Sequence, residues 1–142
     1  DMKKAKALGA IGVNFHLGST KGKKLEEVLD KIVLGIKNVL AANDEEIYLI
    51  LENSAGAGDI IGDKIEELAK IYQAVSSDRI KLTIDTAHAF ASGYNLKEKQ
   101  GLEDILSQID QTIGLDNLVC LHLNDSAVPW GSNRDRHADI GE

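Results

Sequence analysis

Ile80-Lys81-Leu82-Thr83-Ile84-Asp85-Thr86-Ala87-His88 is a short, mostly apolar run that closes on a carboxylate, with an imidazole three residues later. A run too continuous for a strand with one face in water suits a parallel strand covered on both faces. Three further runs repeat the arrangement. Ala10 to Phe15 leads into His16, Ile47 to Leu51 leads into Glu52, and Leu118 to Leu123 contains His122 and runs on into Asn124-Asp125. The intervals His16–Glu52, Glu52–Asp85 and Asp85–His122 are 36, 33 and 37 residues, each about one strand and one helix long.

Between the runs, apolar residues recur at helical spacing. Leu25, Val28, Leu29, Ile32, Val33, Ile36, Val39 and Leu40 form one such stripe, and Ile65, Leu68, Ala69, Tyr72 and Val75 a second. Leu102, Ile105, Leu106, Ile109 and Ile113 form a third, with Gly114 placed to cap it. Met2 to Leu8 reads as the end of a further helix. The order is β-α-β-α-β-α-β, whose crossovers are right-handed. Repeating units of this length with chemistry at each strand's carboxyl end describe an α/β fold, the (β/α)₈ TIM barrel. The 142 residues supply about four of its central βα units, against the roughly 250 residues of a whole barrel.

The composition, 43% hydrophobic and 27% charged, is that of a globular domain. No apolar stretch approaches the roughly 20 residues of a membrane span, and no signal-peptide pattern stands at the start. The expectation is a soluble, cytoplasmic protein without a membrane partner. Cys120, the sole cysteine, sits in an apolar run and reads as a small buried hydrophobe, so no disulfide framework exists. A net charge of −7 weighs against nucleic acid, whose binding draws on basic side chains. Divalent ions in one cleft would offset nearly all of it where a phosphate would sit.

Imidazoles and carboxylates are the side chains that hold Zn²⁺ or Mn²⁺, and all four histidines stand at or just beyond strand-like runs. By itself each position has an ordinary reading. His122 suits a satisfied core histidine, Glu52 a capping or loop acid, and Asp135-Arg136-His137 is a weak tripeptide, although two ligand types at that spacing point the same way in an extended loop. Jointly the pattern leaves no histidine over for an ordinary role. A carboxylate at the position of Glu52 can bridge two ions, which makes it the candidate catalytic residue. The glycines after it, Gly56, Gly58 and Gly62, miss the dinucleotide fingerprint by one residue and read as a flexible active-site loop.

Asn14-Phe15-His16-Leu17-Gly18-Ser19, Leu51-Glu52-Asn53, the segment from Ile84 to Tyr94, His122-Leu123-Asn124-Asp125-Ser126 and the segment from Asp135 to Glu142 together resemble the endonuclease IV family of apurinic/apyrimidinic (AP) endonucleases. The likeness runs from about Gly12 to Glu142, and the third and last segments are highly specific. It implies a TIM barrel with three zinc ions that cleaves double-stranded DNA on the 5′ side of abasic sites; His and carboxylate donors accept Mn²⁺ as well. It also implies ligand roles: His16 and Glu52 on a first ion, Glu52, Asp85 and His122 on a second, and His88, Asp135 and His137 on a third. Leu17 stands where the family usually has proline and Ala87 where it often has cysteine, neither of them a ligand. A further histidine and glutamate of the family's sites are expected outside the chain, as are its early DNA-gripping loops. Residues 1–142 therefore read as part of a metal-dependent endonuclease barrel, weak or inactive by itself and prone to self-association through its outer strands.

Two other readings remain at this point. The related xylose-isomerase-like barrels include sugar isomerases and epimerases that place Glu, Asp and His on one or two metals much as Glu52, Asp85 and His122 stand here. His88 with Asp135 and His137 supplies a third site which that chemistry does not require. A half-barrel that binds metal or assembles with another chain without catalysis is the second.

Overall fold

The computed structural model describes residues 1–43 and 46–142. The elements follow the alternation read from the sequence: α1 (Met2–Ala7), β1 (Gly12–Phe15), α2 (Leu25–Ala41), β2 (Tyr48–Glu52), α3 (Ile65–Val75), β3 (Ile80–Asp85), α4 (Thr86–Ala91), α5 (Lys99–Thr112), β4 (Leu118–His122), β5 (Asp125–Ser126) and β6 (His137–Ala138). The first four strands form one parallel sheet in the order β1-β2-β3-β4. Chain order equals spatial order, the arrangement of consecutive βα units in a barrel wall. The short helix α4 and the antiparallel β5–β6 pair were not anticipated; both lie at the sheet's carboxyl end.

The helical stripes pack as their spacing requires. Leu49 and Leu51 of β2 and Ile80, Leu82 and Ile84 of β3 meet Ile65, Leu68, Ala69, Ile71 and Val75 of α3 and Ile105 and Ile109 of α5 in one apolar layer. Leu51, Leu68, Ile71, Ile80 and Ile109 are wholly removed from water. A buried side chain of this kind contributes roughly 1.5–3 kcal/mol by area alone. Glu27 accepts a hydrogen bond from the Lys24 N–H at 2.8 Å and closes the start of α2, while Gly114, at φ +88°, sends its N–H to Ile109 O at 2.8 Å and ends α5. Gly12 allows β1 to lie against β2, since a β-carbon there would stand 2.7 Å from Tyr48 O.

Coverage on both faces holds only for the inner strands. Ile50 and Thr83, on the face away from the helices, are 4% and 0% exposed. The outer strand β4, which has a neighbouring strand on one edge only, leaves Leu121 53% exposed. Cys120 is half-buried, not fully enclosed. The glycine segment is also more closely packed than an open loop. Residues 53–56 are buried, the Ser54 N–H donates to Gly62 O at 2.9 Å, and the Gly62 N–H donates to Glu67 Oε2 at 2.9 Å. No helix among the described residues is long and apolar enough to cross a membrane.

Candidate metal centre

Parallel strands end on the same edge, so the residue closing each strand is delivered to one place. Glu52 closes β2, Asp85 closes β3, His122 closes β4, and His16 directly follows β1. Register aligns them in pairs: Phe15 lies opposite Leu51, which sets His16 beside Glu52, and Asp85 lies opposite His122.

Glu52 is 6% exposed and surrounded by nitrogen. Its Oε1 lies 2.8 Å from His122 Nδ1 and 3.8 Å from His88 Nδ1, and its Oε2 lies 3.5 Å from His16 Nε2 and accepts a hydrogen bond from the Asn14 amide. Asp85 is fully buried and divides its carboxylate between two tasks. Oδ1 accepts the His88 backbone N–H at 3.0 Å and so caps α4; Oδ2 accepts from Asn124 Nδ2 at 2.6 Å and lies 3.7 Å from His137 Nε2 and 3.9 Å from His122 Nδ1.

That cap starts the turn that carries His88 inward, where it is 3% exposed. Its Nδ1 stands 3.0 Å from Asn53 O. A carbonyl oxygen only accepts, so Nδ1 donates in that bond. Nε2 faces His137 Nε2 at 3.2 Å and Asp135 Oδ2 at 3.3 Å, while Asp135 Oδ1 lies 3.3 Å from His137 Nε2. His137 arrives through the β5–β6 pair, in which it lies opposite Ser126.

Donor atoms therefore converge in three groups, each with mutual separations within 4.8 Å: His16, Glu52 and His88; Glu52, Asp85 and His122; and Asp85, His88 and His137. Among the described residues, the ion-pair partners of Glu52, Asp85 and Asp135 are all histidines, while the Arg136 guanidinium donates to the Asp135 backbone oxygen at 2.6 Å. Two carboxylates excluded from water, with neutral-capable imidazoles and amides around them, form a donor set suited to divalent cations.

All seven residues singled out in the sequence come together. The trio Glu52, Asp85 and His122 falls in one group as expected. The other two groupings differ: His88 stands between the His16–Glu52 pair and the His137–Asp135 pair, and Asp85 reaches His137 as well as His122. Three amides had been assigned no role. Asn14 holds Glu52, Asn124 holds Asp85, and Asn53 pairs with the Asp85 backbone. Their signal was position: each stands within two residues of a candidate ligand.

The family described as xylose isomerase-like TIM barrel matches residues 1–142. The probable endonuclease 4 of Thermotoga maritima is 44% identical over 135 residues, which cover 94% of this chain and 47% of that protein. The crystal structure of endonuclease IV from Thermus thermophilus superposes with a TM-score of 0.79 at 34% identity, covering 97% of this chain and 48% of that one. A D-tagatose 3-epimerase-like protein superposes with a TM-score of 0.59 at 17% identity, over 88% of this chain and 60% of that one, and shares the fold. The chain spans about half the length of the endonucleases it matches.

Proposed function

The chain belongs to the xylose isomerase-like TIM barrel family, and from that membership together with its donor cluster we propose that the protein is a DNA-repair endonuclease hydrolysing the phosphodiester bond 5′ to abasic sites. The reading rests on one observation above all. His88, Asp135 and His137 converge beside the Glu52–Asp85–His122 group, and a sugar isomerase working with one or two metals has no use for that further set. The resemblance to proteins bearing the endonuclease 4 name supports the same choice. Residues 1–142 are assigned to the barrel domain that carries this chemistry.

We assign His16, Glu52, Asp85, His88, His122, Asp135 and His137 as ligands of Zn²⁺, three ions in all, with Mn²⁺ acceptable at one site. Such ions supply an activated water and neutralise charge on the phosphate and the leaving oxygen. The chain's own residues arrange the rest. Glu52 turns one oxygen toward His122 and the other toward His16, so a single side chain spans two donor groups, and Asn14 fixes its orientation. Asp85 has one oxygen committed to α4 and directs the other into the cluster. The side chains of His16, His122 and His137 remain about two-fifths exposed, which marks the open side from which a phosphate approaches. Arg134 and Arg136 flank Asp135 in the chain, are exposed, and offer charge to the DNA backbone. A cytoplasmic setting belongs to the same reading, as does self-association of the chain by itself through the open edges of β1 and β4.

Cleavage of a duplex carrying one abasic site tests the proposal. Full-length protein should nick 5′ to the lesion, stop on chelation, and lose at least about 100-fold in rate on replacement of both His88 and His137 by alanine. Undiminished cleavage by that double variant would overturn the ligand assignment. Aldose isomerisation without cleavage would transfer the protein to the sugar-converting branch of the family.

A further inference from the structure

The ladder between β2 and β3 stops at Glu52 opposite Thr83, two residues before β3 itself ends. Asp85 therefore has no strand residue to pair with on the β2 side. In a parallel sheet a residue's N–H and C=O face the same neighbour, so both groups of Asp85 would be orphaned there, at a position with no access to water. The Asn53 side chain takes the place of the missing strand. Its Oδ1 accepts the Asp85 N–H at 2.7 Å and its Nδ2 donates to the Asp85 C=O at 3.1 Å. A primary amide offers a donor and an acceptor side by side in one plane.

The same residue holds a second ligand. Because its side chain does the pairing, the Asn53 main chain is free to leave the sheet, and its C=O meets the His88 ring at 3.0 Å. Asn53 is itself 2% exposed, so none of these bonds competes with solvent. One residue thus fixes the backbone of Asp85, whose carboxylate caps α4, and the ring of His88, which α4 carries.

We propose that Asn53 is the positioning residue of the cluster, with a side-chain amide that sets Asp85 and a carbonyl oxygen that sets the tautomer and tilt of His88 before any ion arrives. The proposal rests on the metal reading above and concerns a residue that donates no ligand atom. Partners of this kind typically change metal affinity by about 10 to 100-fold.

Co²⁺ is the probe, read by titration and by its visible absorption bands. Asn53→Ala protein with unchanged circular dichroism should bind Co²⁺ about 10 to 100-fold more weakly and with altered bands, and Asn53→Asp, which keeps the acceptor and loses the donor, should fall between. A folded variant with a lower melting temperature but the affinity and bands of wild type would reduce Asn53 to a structural role and overturn the proposal. Wild-type protein that takes up no Co²⁺ would overturn the metal reading itself and this proposal with it. Should the alanine variant not fold, the wild type decides the matter: in metal-free protein labelled with ¹⁵N-histidine, His88 should appear as the Nδ1–H tautomer, with added Zn²⁺ shifting Nε2. An averaged or Nε2–H tautomer would refute the assignment.

Discussion

Glu52→Gln is the most informative single change, because that carboxylate belongs to two of the three donor groups, while Asp135 meets His88 and His137. In metal-free protein the effect should be small. The amide has the shape of the acid, and its oxygen and nitrogen still meet Asn14 and His122, so stability should stay within about 1 kcal/mol. With Zn²⁺ the effect should be large. An ion present at 100 times its dissociation constant stabilises the fold by about 2.7 kcal/mol, which for a chain of this length is a rise in melting temperature of about 8 °C. A 100-fold loss of affinity at the same concentration leaves about 0.4 kcal/mol, or about 1 °C. Glu52→Gln should therefore lose about 2.3 kcal/mol of zinc stabilisation for each of two ions, and Asp135→Asn for one at most. Differential scanning calorimetry with and without Zn²⁺, and with chelator as control, reads both. Equal zinc shifts for wild type and Glu52→Gln, or a larger loss from Asp135→Asn, would refute the bridging role.

Leu68→Ala empties a fully buried position beneath β3 and should cost about 2–5 kcal/mol in urea unfolding without altering the zinc-dependent increment. Gly62→Ala should destabilise by more than about 1 kcal/mol by the same measurement, since φ there is +93° and the new methyl would stand 3.0 Å from Leu68 Cδ2. Burial raises the phenol of Tyr94, and that of Tyr72, above the usual 10.0. A folded-state value raised in this way contributes stability that is complete below pH 10 and is lost as pH climbs through the folded value, so the melting temperature should fall from about pH 10 upward, together with a late-ionising tyrosine absorbance. Tyr94→Phe should flatten that fall.

The amino-acid sequence by itself determined the elements and their order. Apolar runs with period-free burial, and stripes at helical spacing between them, are local properties of the chain, and right-handed crossovers then leave little choice but consecutive parallel strands. It also determined that donors collect at one edge, because every run carries a histidine or carboxylate at or near its end and parallel strands end together. Helix α3, from Ile65 to Val75, has the bounds of the stripe read from the sequence and buries Ile65, Leu68, Ala69 and Val75 of it, with Ile71 buried in addition and Tyr72 half-buried.

Tertiary structure decided which donors meet. Glu52 and His122 are 70 residues apart and touch at 2.8 Å, and Asn53 reaches Asp85 across 32, distances that no local periodicity encodes. The place of His88 between two ligand pairs depends on α4, a six-residue helix begun by the Asp85 cap and too short to show a stripe. The amides of Asn14, Asn53 and Asn124 looked like ordinary loop and strand polar residues until the fold set Asn14 against Glu52, Asn53 against the Asp85 backbone and Asn124 against the Asp85 carboxylate. Once a carboxylate is buried, each of its oxygens needs a fixed partner, and only the packed fold determines which amide or imidazole stands within reach.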